Sequence, residues 1–512
     1  MKTKALLSAG ATIGLLSVPG VLTTPAIADD LRIENATVAQ VLAAQNAGTT
    51  CRTIATQIQA RIAAVNGSLK AFITVNPRLL EDADRLDAMR TRGEIGALHC
   101  VPIAVKDNIG TTDMRTTGGS VVFAEMRPDR NATVVTRLLA ASAIVVGKTN
   151  LDELAVAGST ISSLGGQTLN PYDVTRFAAG SSGGSAVAVS TGMAVAAIGT
   201  ETVNSIRNAA SSAGVVGIRS TRGFVSRDGV IPLSTTMDVV GTFGRSVADA
   251  SAVLDAIIGR DPADLDTTAT EMLPPGRLSP VQPSELRGKR IGVLRNLFGT
   301  GSEHQAVNAV VESALDRLRQ AGVEIVEIAD GSFDSEASAR ALNVNNYEFA
   351  PLFERYLAEL GSAAPIKTIK EYAAVGKYPA TMKGYIANAL AWKAPLQQPA
   401  YFNALGDISA TRVKLMHLME SKRLDALAYP MQKRPPLKLS DAPRPERNGI
   451  FASALGWPAI DIPAGFTPPT DSARIGLPIG LDLMTGPYRD RDLLSLAAAV
   501  EATLVGRRAP PM

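Results

Sequence analysis

One lysine interrupts an apolar run. In VPIAVKDNI (101–109) the residues on either side of Lys106 are those of a buried strand, and lysine is rarely buried without a reason. Desolvation lowers the pKa of such an amine and leaves it able to take a proton at neutral pH; the alternative is a side chain that snorkels out of the strand end. A second feature is the stretch 178–223, AAGSSGGSAVAVSTGMAVAAIGTETVNSIRNAASSAGVVGIRSTRG, with eight serines and eight glycines among small apolar residues. Its apolar content is too high for a flexible linker. Crowded small residues let backbones approach closely and free N–H groups to face a ligand. A serine hydroxyl needs a base before it attacks a carbonyl. The usual base is histidine, and the chain has three, His99, His304 and His417. Gly180–Gly184 matches G-x-S-x-G with Ser182 at its centre. The preceding PYDVTRFAAG reads as turn and loop, whereas a nucleophile elbow directly follows a strand. With no CxxC, no HExxH and few histidines, a zinc site is not expected.

Elements that must position these groups follow from periodicity. Residues 38–66 and 79–90 read as helices, 71–76 and 101–109 as strands, and 132–150 as helix, turn and strand. Residues 261–286, rich in Pro and Asp, read as a surface crossing. Strands are expected at 290–296 and 323–328 around a helix, then a mostly helical region over 334–425. A strand at 424–430 leads into a loop with four prolines (431–446), two closing strands (457–465 and 476–486) and a final helix over 491–504. Strands alternating with helices predict an α/β fold, and the lack of a repeat or linker predicts a single unit over 29–512.

Composition narrows the partners. Apolar residues make up 46% of the 512 and charged residues 19%, enough for a large core. The first 28 residues read as a cleavable signal peptide: Lys2 and Lys4, an uncharged apolar stretch over 5–22, then Ala26-Ile27-Ala28 before Asp29. Pro19 and Gly20 disfavour a spanning helix there. A secreted or periplasmic protein, without stable membrane insertion after cleavage, is therefore expected. Of 51 Lys and Arg, removing Lys2 and Lys4 leaves 49 against 48 acids, a balance that offers no electrostatic case for nucleic acid. In an oxidising compartment Cys51 and Cys100 are candidates for one disulfide; as buried free thiols they would be equally ordinary.

The order of motifs adds to this. VPIAVKDNI, GKTNLDELA, GSSGGSAVAVSTG, IGTETVNSIRNAAS, GVVGIRSTRGFVSRDGVIP and DVVGTFGRSVADA, followed by WPAIDIPAGF and GLPIGLDLM, resemble the amidase-signature family. The match is nearly continuous over about 101–250 and recurs near the C-terminus. The resemblance implies a large mixed, twisted β-sheet sandwiched between α-helices. It also implies an amidase with a Ser-Ser-Lys triad: Ser205 as nucleophile, Ser181 as the bridging serine after a non-proline cis peptide bond, and Lys106 as base. It implies that backbone N–H groups of Thr202, Val203, Asn204 and Ser205 stabilise the oxyanion, and that no metal or organic cofactor is needed. Ser182 would orient the relay, Gly158 to Thr160 would line the pocket, and Arg207 and Asp238 would support the site by hydrogen bonds unless they form an ordinary ion pair. Pocket walls are expected from 334–450, where no motif is readable. The family usually has two small residues before its nucleophile; here they are Val203 and Asn204. That departure bears on the substrate and points towards peptide amides, aryl amides or other small amides. Three other readings compete: an esterase built on Ser182, a catalytically silent small-molecule binder, and the amidotransferase that feeds ammonia to a tRNA-bound acid, which works with partner subunits and against which the N-terminal signal argues.

Overall fold

The computed structural model describes residues 31–274, 276–441 and 446–512; the expected signal peptide lies outside them. Eleven strands form one mixed sheet. In chain order they are β1 (Phe72–Val75), β2 (Pro102–Lys106), β3 (Ile144–Thr149), β4 (Ala196–Glu201), β5 (Val216–Arg219), β6 (Val239–Gly244), β7 (Arg290–Leu294), β8 (Glu324–Ile328), β9 (Ala426–Pro430), β10 (Ala459–Phe466) and β11 (Pro478–Met484). Their spatial order is β1-β3-β2-β4-β6-β5-β10-β11-β9-β7-β8. The pairs β3–β2, β2–β4, β9–β7 and β7–β8 are parallel and the rest antiparallel.

Residue choice explains the placement. β2, β3, β4 and β6 are buried at every position, as continuous apolar runs covered on both faces must be. β8, with Glu324 and Glu327 exposed, is an edge, and its charges blunt edge-to-edge pairing. The helix Gln305–Gln320 buries Val307, Val310, Val311, Ala314, Leu315 and Leu318, one stripe at three- and four-residue steps. The helix Val247–Ile257 starts where Ser246 accepts from the Asp249 N–H. Helices Gly183–Ser190 and Arg207–Ala213 are buried throughout; Gly, Ala and Ser dominate both, and the one charged side chain, Arg207, is buried against Glu201 and Asp482.

The expected strands and helices stand within a few residues of their boundaries, with one correction. Asp173–Phe177, read as turn and loop, is a strand paired with Leu169–Asn170. It is a short, partly exposed ribbon outside the main sheet, so no buried apolar run announced it. Among the described residues no helix is long and apolar enough to cross a membrane.

Candidate active site

β2 and β4 run parallel, so their carboxyl ends lie side by side and carry Lys106 and Thr200. Lys106 is fully buried and does not snorkel. Its Nζ donates to Ser181 Oγ and to Thr200 Oγ1, each at 2.8 Å, and to Thr200 O at 3.3 Å. All three partners are neutral. Burial therefore brings the amine down to about 7, while Asp152, Asp238 and Glu201 pull the other way from a distance. At neutral pH much of it is a free base.

Ser181 opens the turn into the helix Gly183–Ser190, and the Gly180–Ser181 peptide is cis. Hydrogen bonds hold this turn on every side. Gly180 O accepts from Asn208 Nδ2 at 3.3 Å, Ser181 O from the Asp152 N–H at 3.2 Å, and Ala179 O from Thr160 Oγ1. A Cβ on Gly180 would meet the Asp152 carboxylate and Thr160, so the position admits glycine alone. Leu154, Ala155, Ala157, Thr160 and Ala179 all take positive φ in these two segments. Such strained backbone concentrates at functional sites. Ser182 Oγ donates to Thr200 O at 3.0 Å inside the core, and its N–H donates to Ser205 O at 3.2 Å. That tie locks the Ser205 turn to the Ser181 turn.

The Ser205 turn, residues 202–206, is held from below by buried charge. Glu201 accepts from the backbone N–H groups of Ile206 and Arg207 at 3.0 and 3.1 Å and pairs with the Arg207 guanidinium. Arg207 also binds Asp482, and Arg219 reaches Glu201 at 3.5 Å. Burial works against each of these charges, yet the two arginines keep Glu201 below its usual pKa. Asp482 is pushed up to about 7 by burial despite Arg207. Neither Val203 nor Asn204 takes a positive φ, so the bulkier pair fits without backbone strain. Room for it comes from Gly449, where a Cβ would lie 2.5 Å from Val203 O and 2.6 Å from Asn204 Cβ. Among the described residues the N–H groups of Val203, Asn204 and Ser205 make no hydrogen bond, the condition for donors that await an oxyanion.

Ser205 is 6% exposed and opens onto a cavity of about 180 Å3, with Thr202, Val203, Asn204, Leu233, Asn345 and Ile450 in its wall. A second cavity of about 210 Å3 holds Gly158, Ser159, Phe177, Pro435 and Leu437. Ala157, Tyr385 and Arg447 face both. The walls from Asn345, Tyr385, Arg447 and Ile450 come from the 334–450 region, as expected. Arg207 and Asp238 do not pair with each other. Asp238 instead accepts from Thr202 Oγ1 at 2.6 Å and from the Leu233 and Ser234 N–H groups at 2.7 and 2.8 Å, which steadies the start of the turn.

Three site residues went unread in the sequence. Thr200, next to last in β4, has no feature beyond its place near a strand terminus. Asp152, buried and raised to about 6 by desolvation, sits in the resembling segment GKTNLDELA but carried no role. Arg447 lies after a proline-rich loop. Elsewhere, Cys51 and Cys100 form a disulfide with Cα atoms 5.3 Å apart. Glu303, His304 and Glu446 converge, but Arg434 pairs with both glutamates and supplies the counter-charge that a cation would.

Comparison with known proteins identifies the family. A family model described as Amidase matches residues 53–494. A glutamyl-tRNA(Gln) amidotransferase subunit from Synechococcus sp. (strain JA-3-3Ab) is 35% identical over 479 residues, covering 90% of each chain. The peptide amidase of Stenotrophomonas maltophilia superimposes with a TM-score of 0.81 at 34% identity, over 94% of this chain and 99% of that one. An amidase family protein from Bacillus anthracis gives 0.80 at 26% identity, over 94% and 93%. The chain belongs to the amidase family, the amidase-signature hydrolases of amide C–N bonds.

Proposed function

We propose that the protein is an exported amidase that hydrolyses a small amide, such as a peptide amide or aryl amide, through an acyl-enzyme on Ser205. The observation that carries this reading is the neutral company of Lys106: a fully buried amine whose hydrogen-bond partners among the described residues are Ser181 and Thr200. Lys106 takes the Ser181 proton as Ser181 takes that of Ser205. Ser205 Oγ then attacks the amide carbonyl. The N–H groups of Thr202, Val203, Asn204 and Ser205 receive the developing oxyanion. The proton returns through Ser181 to the leaving nitrogen, the C–N bond breaks, and water hydrolyses the ester by the same relay. Asp238, through Thr202, and Arg207, through Glu201, hold the turn while charge develops.

Export rests on residues 1–28 and is supported by the disulfide, which suits an oxidising compartment. A second reading, an amidotransferase component working with partners, is favoured by the 35% identity to such a protein. The 34% identity to a peptide amidase, with nearly complete overlap of the two folds, supports a self-sufficient amidase.

The test is product release by the mature chain from Asp29 across aliphatic amides, anilides, peptide amides, cyclic amides and glutamine, with Ser205→Ala and Lys106→Ala alongside. Turnover abolished by both substitutions is expected. Turnover that survives loss of Ser205, or depends on Ser182 with simple esters, would sink the assignment. Turnover of glutamine alone would favour the amidotransferase reading, and a wild type silent on every substrate would favour a binder.

A further inference from the structure

Arg447 separates the two cavities, and no acid among the described residues pairs with it. The backbone there is fixed by the next residue, Asn448, whose Nδ2 donates to Pro430 O and Leu297 O at 2.7 and 2.8 Å. Arg447 Nη1 donates to Asn204 Oδ1 at 2.9 Å, and Asn204 immediately precedes Ser205. Among the described residues no carboxylate lies within 4 Å of the Arg447 guanidinium, whereas nearby Arg434 binds Glu303 and Glu446. A guanidinium has five N–H donors in a planar fork, and one hydrogen bond is all that Arg447 makes within the described protein. The half-buried side chain faces both cavities. The facing loop is shaped to admit it, because a Cβ on Gly158 would overlap the guanidinium. A partly buried fork with spare donors fits a planar oxygen acceptor. Phe177, Pro435, Pro436 and Leu437 offer an apolar surface beside it.

We propose that Arg447 is a specificity-determining residue that binds a second sp2 oxygen of the substrate, a carbonyl or carboxylate oxygen on the acyl side, and so selects amides bearing one over plain hydrocarbon amides. This deepens the amidase reading and rests on Ser205 as nucleophile. An acylated amino-acid amide supplies the oxygen as a carbonyl, and a dicarboxylic acid monoamide supplies it as a carboxylate.

Three amides of similar length separate the cases: N-acetylglycinamide, succinamic acid and pentanamide. The wild type is expected to favour at least one oxygen-bearing amide by about tenfold or more in kcat/KM, mainly through KM. Preference for N-acetylglycinamide identifies the carbonyl, and preference for succinamic acid the carboxylate. Arg447→Met should bring the ratio to pentanamide within about threefold. Arg447→Lys, which keeps the charge but loses the fork, should retain more preference for succinamic acid than for N-acetylglycinamide. A wild type that discriminates less than twofold overturns the proposal, as does an Arg447→Met variant that keeps the wild-type ratio. If the Met variant does not fold, the wild-type ratios and the Lys variant decide. Ser205→Ala on the same three amides separates the two questions. Silence on all of them keeps the nucleophile assignment whatever the ratios, and residual turnover removes that assignment independently of Arg447.

Discussion

Lys106 and Lys148 lie at or next to the ends of neighbouring parallel strands, both fully buried and both held below the usual lysine pKa by desolvation. In the β2–β3 register Val105 pairs with Lys148 and Lys106 with Thr149, so the two lysines project to opposite faces of the sheet. Their surroundings differ in one respect. Lys148 Nζ lies 3.2 Å from Asp107 Oδ1 and also donates to Thr116 Oγ1 and Arg115 O, at 2.7 and 3.1 Å. Among the described residues Lys106 meets hydroxyls and a carbonyl only. A buried lysine beside a carboxylate is a structural ion pair that is costly to break. A buried lysine beside hydroxyls keeps a depressed pKa and is free to act as a base. The partner decides the role, and burial alone does not.

The largest expected effect separates the two at once. Lys106→Ala or Ser205→Ala should lower kcat/KM by about 10^4-fold or more, because the members of such a relay act as a unit. Lys148→Met should leave kcat/KM of the folded enzyme within a few-fold. Its cost falls on stability: Asp107 is left buried without its cation, and urea unfolding should show a loss of about 3–5 kcal/mol. Equal activity losses at the two lysines would erase the distinction. Reduction of the Cys51–Cys100 disulfide, which closes a 49-residue span, should lower stability by about 2–4 kcal/mol with little change in kcat/KM on the folded enzyme.

Lys106→Met should move stability the opposite way from Lys148→Met. The folded state binds the Lys106 proton with a pKa of about 7, against 10.5 for the ordinary side chain. The unfolded chain therefore holds more protons between these values, and this group's destabilisation is full below about pH 7 and fades as pH rises towards 10.5. The Met variant should then be more stable by about 1–2 kcal/mol near pH 7, with the advantage shrinking at higher pH in parallel thermal melts. An advantage that grows with pH would contradict the depressed pKa.

The same comparison marks how far the sequence was legible. VPIAVK and AIVVGK are both apolar runs that lead into a lysine, and nothing local to either tells base from ion pair. Asp107 is the informative residue, but its reach to Lys148 depends on how β2 and β3 pair. Strands and amphipathic helices of the main sheet were readable because their periods are intrinsic to the residues. The 173–177 ribbon was not, since a half-exposed strand in Pro- and Asp-bearing sequence has a loop's composition. Ser205 is one of eight serines between 178 and 223, and only motif order singled it out. The real partners of Arg207, namely Glu201 and Asp482, are joined across 275 residues in the second case. Arg447 reaches Asn204 across 243. Such contacts are made by the fold and leave no spacing to read.

The most direct test of Lys106 as the base is the pH dependence of kcat/KM for a non-ionising amide between pH 5 and 9, run on the wild type and on Lys148→Met. The active form carries a neutral Lys106, so both enzymes should gain about tenfold per pH unit at low pH and level off above about 7. A profile flat across this range, or a limb that the Lys148 substitution displaces, would show that Lys106 is not the base.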